Sequence, residues 1–272
     1  YSSVEGAVTL HTSVGASVTI DGGTFSASDN AVISSNGSKR DGTPNKVTIN
    51  GGTFNGGIVT SGYVACGIYS PWKDEFVVNG GEFNITKGAG IVARAGSVIV
   101  NGGDFKTTGN VTGKVGDSRV VVPCSAIVYD SEAKYPAMTA ESKIEVPATS
   151  TASFTSEVNA VSVVGESHIS ISGGSYSSPL TDDVCAEGYI PTKNSDGTYG
   201  VKHGSYVAQI GEQKYGSLAD AFADATSVDI DKNNNIQPCK GKSVTRRIDG
   251  LAGLLDAYVV LENNLDEYMS MI

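Results

Sequence analysis

One eight-residue stretch, VTINGGTF at residues 47–54, decides the fold because related copies of it return along the chain. The copies are VTIDGGTF at 18–25, FVVNGGEF at 76–83, VIVNGGDF at 98–105 and ISISGGSY at 169–176. β-Branched residues at alternate positions favour a strand with one buried face. The glycines favour a sharp turn, since they reach positive φ without a Cβ clash. A single unit cannot bury its own apolar face, so the copies are expected to stack.

The aromatic residue that ends each copy predicts an inward column. It recurs after 29, 29 and 22 residues in the first four copies. The following 71 residues correspond to about three periods, so they should hold two degenerate copies, at 120–122 and 143–148. The column is predicted to contain Phe25, Phe54, Phe83, Phe105, Phe154 and Tyr176. A parallel ladder of polar side chains is predicted at Asp21, Asn50, Asn79, Asn101 and Ser172.

A second β-rich patch lies between the glycine motifs, so each period carries at least two short strands. Its copies are at 31–33, 67–69, 90–92, 126–128 and 160–163. Two or more strands per period and 34 glycines in 272 residues predict an all-β solenoid. The net charge of −10 disfavours a general nucleic-acid surface, and the acidic composition is typical of extracellular or cell-surface proteins.

The strand, Asn-Gly-Gly and aromatic unit of residues 47–54, with its polar and aromatic ladders, resembles right-handed parallel β-helix proteins of the pectin-lyase-like superfamily. More narrowly, residues 1–226 resemble adhesin-like surface proteins of gut Firmicutes. The resemblance implies a right-handed parallel β-helix with a closing hairpin. The spacing of apolar residues at i, i+3 and i+4 steps adds a short α-helical C-terminal appendage, with a helix from about 244 to 269. It also implies a non-enzymatic module that binds glycan or a host or matrix surface. The alternative on the same fold is a polysaccharide lyase or hydrolase.

The chain is expected to have four parts. Residues 1–178 form the solenoid, and 179–203 form a closing loop and hairpin with its turn at Asn194-Ser195-Asp196. Residues 204–227 begin a further module with a strand and a helix capped by Ser217, and 228–272 form a helical tail. We interpret the chain as part of a longer protein, with a junction between unrelated sequences near residue 227.

The last 42 residues of the tail resemble the C-terminus of phage terminase large subunits, through NIQPCKGKS and RRIDGLAGLLDAYVV. In that family the Asp of the RIDG segment is a metal ligand of a nuclease, and the match falls on Asp249. A terminase-related fragment is therefore a second alternative. The sequence has no GxxxxGK[ST] loop, and one carboxylate cannot hold the two metal ions of such a nuclease.

The candidate site residues are few. Trp72, beside Lys73, could stack on a sugar ring, or its ring could fold over the wall of the solenoid. Asp182 and Asp183 are the candidate acid and base of a glycosidase. They fall in the closing loop, outside the strands of the solenoid. Arg94 could be the base of a lyase, but because no acidic calcium cluster accompanies it on adjacent coils, it is expected to be a solvated wall residue.

The histidines and cysteines form no catalytic group that the sequence can support. His11, His168 and His203 fall in different sequence contexts and are expected at the surface or rim. The four cysteines form no CxxC pair, and buried thiols are favoured over a disulfide. We predict no catalytic residue, no cofactor and no membrane insertion, with a glycan or host surface as the partner.

Overall fold

The protein is seen in a computed structural model, in which most of the first 210 residues and short parts of the remainder are described. The described residues are 2–3, 10–12, 15–28, 30–35, 43–57, 65–115, 120–132, 142–210, 213–219, 221, 228–230 and 236–238. Their secondary structure is almost all β, and the larger sheets are mostly parallel. The chain divides into two compact units, Tyr1–His203 and Gly204–Ile272.

Sheet 1 contains the strands that follow the glycine pairs. In spatial order it has β1 (Ser2–Ser3), β4 (Thr24–Ala27), β7 (Thr53–Gly57), β10 (Glu82–Thr86), β13 (Asp104–Thr108), β18 (Ser153–Ser156), β21 (Ser175–Tyr176), β23 (Tyr199–His203) and β22 (Tyr189–Lys193). The pairs from β1 to β21 are parallel, and β23 joins β21 and β22 antiparallel.

Sheets 2 and 3 are parallel and have six strands each. Sheet 2 contains the second β-rich patch, as β2 (Leu10–Thr12), β5 (Ala31–Ser35), β8 (Cys66–Ser70), β11 (Ala89–Ala93), β16 (Ile127–Asp130) and β19 (Val161–Val164). Sheet 3 contains the strands before the glycine pairs, as β3 (Ser17–Ile20), β6 (Lys46–Ile49), β9 (Glu75–Val78), β12 (Gly96–Val100), β17 (Ser142–Val146) and β20 (Ile169–Ile171). From β1 to β13, consecutive strands along the chain therefore belong to sheets 1, 2 and 3 in a repeating order.

The core consists of equivalent residues from successive copies, placed opposite one another by the parallel register. In sheet 3, Ile49 pairs with Ile20 on one side and Val78 on the other. In sheet 2, Ile91 pairs with Ile68 and Ile127. Ile49, Val78, Ile68, Ile91 and Ile127 are all fully buried. Each such side chain stabilises the fold by about 1.5–3 kcal/mol relative to an exposed one.

An aromatic column runs through the same interior and contains the six residues that the repeat predicts. Successive rings, from Phe25 to Tyr176, have centroids 5.2, 4.5, 4.3, 5.2 and 4.9 Å apart. The interplanar angles lie between 5° and 14°, so the rings stack face over face. The members are Phe25, Phe54, Phe83, Phe105, Phe154 and Tyr176.

The glycine pair is required by the turn that joins sheets 3 and 1. Gly81 has a φ of +113°, and a Cβ added there would lie 3.1 Å from the Phe54 ring. Gly80 faces the preceding turn, where an added Cβ would lie 2.8 Å from the Asn50 carbonyl oxygen. The second glycine thus provides the left-handed backbone conformation, and the first allows neighbouring turns to approach closely.

The stretch between Phe105 and Tyr176 differs from the prediction. Residues 120–122 do not form a degenerate copy, because β15 (Val120–Pro123) pairs antiparallel with β14 (Val111–Val115). Only one copy, with Phe154, lies between Phe105 and Tyr176 in the column. Valine favours a β-strand in an antiparallel hairpin as much as in a parallel sheet. The valines at 120–122 therefore predict a strand but not the direction in which it pairs.

A hairpin ends sheet 1, at the position where the sequence predicts one. β22 and β23 are joined by a turn in which Asn194 N–H donates to the Thr198 carbonyl oxygen at 2.8 Å. Tyr199 in β23 then pairs with Tyr176. The preceding loop contains a 3-10 turn, Asp182–Val184, whose Val184 is buried in the core.

The second unit is described in part. It has two antiparallel pairs, β24 (Ala208–Ile210) with β25 (Gln213–Tyr215), and β26 (Val228–Ile230) with β27 (Ile236–Pro238). Leu218, Ala219 and Ala221 have helical backbone within the helix predicted after Ser217. The helix predicted from about 244 to 269 lies outside the described residues.

Candidate functional site

The glycine turns of successive copies lie side by side and form an open groove of about 720 Å³ on the first unit. We call it the glycine-turn groove. The glycine pairs of four neighbouring copies contribute to it, and Thr151 comes from the next copy, the one with Phe154, so the groove extends for about 14–19 Å at the usual strand spacing. Its lining residues are Gly22, Gly23, Thr24, Gly51, Gly52, Thr53, Asn79, Gly80, Gly81, Glu82, Gly103, Asp104 and Thr151.

A ladder of polar side chains precedes the glycines on each turn. Asn50 Nδ2 donates to Asp21 Oδ1 at 2.7 Å, and Asn79 Nδ2 donates to Asn50 Oδ1 at 2.8 Å. Asn101 Nδ2 continues the ladder by donating to Asn79 Oδ1 at 2.8 Å. Asn50 and Asn79 each use one N–H and one oxygen lone pair within the ladder, and their second N–H and remaining lone pair are left for water or a ligand.

A second polar row follows the glycines, at the position just before each aromatic residue. The parallel register places Thr24, Thr53, Glu82, Asp104 and Ser153 beside one another on adjacent strands. Ser153 Oγ donates to Asp104 Oδ1 at 2.5 Å. Thr24, Glu82 and Asp104 are exposed. The glycine floor thus lies between two rows of hydroxyl, amide and carboxylate groups.

The charge of the groove is negative. Glu82 and Asp104 are its two charged lining residues, and no Lys, Arg or His belongs to the described lining. The ion pairs among the described residues are Lys46–Glu75, Arg94–Asp130 and Lys143–Glu145. Neither groove carboxylate therefore has a cationic partner in the part of the chain that the structure describes.

Trp72 and Lys73, the residues predicted to bind a sugar, do not belong to the groove lining. Trp72 is only 5% exposed, whereas Lys73 is exposed. The prediction of an exposed Trp72 ring is therefore wrong, because stacking on a sugar requires a free aromatic face. The buried ring corresponds to the other interpretation of this residue, a ring folded over the wall.

Arg94 is not the solvated wall residue that the sequence predicts. Its side chain is 2% exposed and forms an ion pair with the fully buried Asp130, with Nε and Nη2 donating to Oδ2 at 3.1 and 3.0 Å. Arg94 Nη1 also donates to the Tyr69 hydroxyl oxygen at 3.1 Å. The guanidinium is thereby occupied, so Arg94 fits a structural role better than that of a catalytic base.

The described thiols are free and are poor nucleophiles. Burial raises the pKa of the Cys66 thiol far above its usual range. Burial, followed by the charge of Glu157, raises the pKa of Cys124 to about 11. Burial, with smaller contributions from Asp182 and Asp183, raises the pKa of Cys185 to about 11. A thiol with so high a pKa is protonated at neutral pH, when only the thiolate would react.

The other candidates give no catalytic arrangement. Asp182 and Asp183 are exposed on the 3-10 turn, outside the groove lining. His168 stacks on Tyr129 at 6.1 Å, and His203 contacts Tyr189 edge to face at 5.5 Å. Among the side chains that the structure describes, no three His, Cys, Asp or Glu residues are grouped so as to hold a metal ion.

Three predictions lie partly or wholly outside the described residues. Asp249, the metal ligand implied by the terminase resemblance, is one of them. The others are the side chain of His11 and the thiol of Cys239. In the described part of the chain, no helix combines the length and the hydropathy needed to cross a membrane.

Comparison with known proteins gives no match to a family model, to a curated protein or to a solved structure.

Glu82 and Asp104 were not among the residues predicted from the sequence, although the repeat carries a signal for them. Both occupy the variable polar position between the second glycine and the aromatic residue. That position points outward because the aromatic residue beside it points inward, and adjacent side chains on a strand alternate. Aligning the copies on their aromatic residues would have revealed the row.

Proposed function

We propose that residues 1–203 form a right-handed parallel β-helix, closed at one end by the hairpin of β22 and β23. Consecutive strands from β1 to β13 belong in a repeating order to three sheets in which they pair in parallel, and this order supports the architecture. So do the stacked rings from Phe25 to Tyr176 and the ladder through Asn50 and Asn79. This is the architecture implied by the resemblance to pectin-lyase-like proteins.

The function that fits this architecture best is non-enzymatic binding of an extended glycan, by an adhesin-like module outside the cell or at its surface. The observation that carries the proposal is the glycine-turn groove. Its floor has no side chains, and its two polar rows repeat at the strand spacing. A linear polymer of hydroxyl-rich units can donate to and accept from such rows repeatedly.

The groove is also suited to binding rather than to a reaction. It is open, and its side chains hold neither a metal cluster nor a histidine among the described residues. Weak contacts repeated along a polymer still give useful affinity, because binding at one unit raises the effective concentration of the next.

Binding can be tested with a panel of immobilised polysaccharides and a variant that fills the groove. Thr53→Trp places a large ring among the lining residues, and Thr155→Trp places the same ring on the exposed outer face of sheet 1, outside the lining. We expect Thr53→Trp to abolish retention on a polysaccharide that the parent protein binds, and Thr155→Trp to retain it. Equal binding by both variants, with unchanged melting temperatures, would exclude the groove.

A polysaccharide hydrolase on the same fold is a second candidate, because Glu82 and Asp104 lie opposite each other on adjacent strands. Adjacent strands are about 4.8 Å apart, near the separation of about 5–5.5 Å between the carboxyl groups of retaining glycosidases. The exposure of both residues favours binding instead.

The two candidates differ in a reducing-end assay. We expect no cleavage of pectin, polygalacturonate or related polymers, with or without Ca²⁺. Turnover that disappears in Glu82→Gln or Asp104→Asn would establish the hydrolase, and turnover that disappears on changing Asp182 or Asp183 would place an active site in the closing loop.

A further inference from the structure

The charge of the glycine-turn groove defines the class of glycan that it accepts. We propose that the groove selects a polysaccharide carrying protonated amino groups over a neutral one, and excludes uronic-acid polymers. This inference rests on the proposed function of the same groove.

The first argument is that folding does not explain the two carboxylates. Glu82 and Asp104 are directly opposite on adjacent strands, where like charges destabilise a sheet. An opposite pair of charged residues in sheet 3 has unlike charges instead. There Lys46 and Glu75 are opposite each other and form an ion pair at 3.2 Å. A cation bound between Glu82 and Asp104 would offset their repulsion.

The second argument is that the groove offers these carboxylates to a ligand. Both are exposed in the lining, and neither has a cationic partner among the described residues. Asp104 accepts one hydrogen bond, from Ser153, which leaves its other carboxylate oxygen available. An ammonium group has three donors and can reach oxygens from both side chains, and such charge-assisted bonds are stronger than neutral ones.

The third argument concerns the surroundings of the pair. Thr24, Thr53, Thr151 and Asn79 supply neutral donors and acceptors in the same groove. These groups suit the hydroxyl groups of a sugar better than the apolar side chains of a peptide. A uronic-acid polymer would bring its own carboxylates against Glu82 and Asp104, which disfavours binding.

The experiment measures binding of three soluble hexasaccharides to the full chain by calorimetry, at a pH where amines are protonated. The probes are the glucosamine hexamer, the N-acetylglucosamine hexamer and the galacturonic acid hexamer. The first two share one backbone and differ in the amino group. Glu82→Gln with Asp104→Asn removes both groove charges while keeping the side-chain shapes. Glu75→Gln with Glu145→Gln removes the same charge outside the groove lining.

We expect the glucosamine hexamer to bind most tightly and the galacturonic acid hexamer not to bind. The groove variant should weaken binding of the glucosamine hexamer by about tenfold or more, the effect of losing one or two charge-assisted hydrogen bonds. The control variant should change it by less than about twofold, since distant surface charges are screened by salt. Raising the salt concentration should reduce the preference for the amino sugar.

Other outcomes separate the two proposals. Equal binding of the first two probes, unchanged in the groove variant, would overturn the charge selection and leave glycan binding in place. Failure of every glycan, including those of the immobilised panel, would overturn both. An oligolysine that binds more tightly than the glucosamine hexamer, with the same dependence on Glu82 and Asp104, would identify a cationic peptide as the ligand and would also overturn the proposal.

Discussion

Replacing Phe83 with Ala tests whether the stacked column holds the first unit together. Phe83 is fully buried, and its ring lies between Phe54 at 4.5 Å and Phe105 at 4.3 Å. Removing it opens a cavity and should lower the free energy of unfolding by about 3–5 kcal/mol. Of this, the two stacking contacts contribute about 0.5–1.5 kcal/mol each.

The effect can be measured by urea denaturation of the full chain, with Phe83→Leu as the matched control. Leu keeps much of the buried volume but cannot stack, so it should destabilise by roughly half as much as Ala. The slope of the transition should stay constant if the variants unfold cooperatively over the same surface. A loss below about 1 kcal/mol for Phe83→Ala would show that the column is not a determinant of stability. Equal losses for the two variants would show that cavity formation is not the main cause.

Three further predictions concern other parts of the chain. Arg94→Met should destabilise by about 3–5 kcal/mol in urea, since it leaves the Asp130 carboxylate buried without its cation, and adding Asp130→Leu should recover much of the loss. The raised pKa of the buried Cys66 thiol favours its protonated form in the folded state, so stability should fall as the pH rises above the ordinary thiol pKa of about 8.5. Cys66→Ala should reduce this pH dependence without removing it, since the raised pKa values of Cys124 and Cys185 act in the same direction, and an unchanged slope would contradict the assignment. Deleting 228–272 should leave the melting temperature of the first unit almost unchanged, and the intact chain should show no metal-dependent DNA cleavage. Cleavage abolished by Asp249→Ala would show that the terminase-like tail is functional.

The parts of the fold that the sequence predicted are those that depend on local, repeated constraints. The turn at 80–81 requires a positive φ at Gly81 and a close approach of Gly80 to Asn50 in the preceding copy, and the glycine pair that meets both requirements recurs in all five copies. Phe83 then follows at a fixed distance, and parallel register brings equivalent residues together. The same spacing in five copies predicts the aromatic column. Phe154 also belongs to the column, although its copy lacks the glycine pair.

The parts that sequence reasoning missed depend on contacts between residues that no local pattern connects. Arg94 looks solvated because a charged residue usually is, but its partner Asp130 lies 36 residues further along the chain. Burial of this pair follows from the position of β11 beside β16, which the sequence shows only once the whole sheet is assembled. Trp72 follows the same rule: whether its ring is exposed depends on tertiary packing, and the structure shows it buried.

The groove depends on both kinds of information, because the repeat supplies its glycine floor but only the structure shows that neighbouring turns form one groove. Most residues of each copy are required by the turn or by the inward aromatic residue. Their identity is therefore explained by folding and gives no information about a ligand. The position before the aromatic residue points outward and is Thr24, Thr53, Glu82 and Asp104 in four successive copies. Folding alone would accept a small polar residue at each, as at the first two. Two adjacent carboxylates oppose sheet stability there, and this departure from the first two copies supports the proposed ligand-binding role of the row.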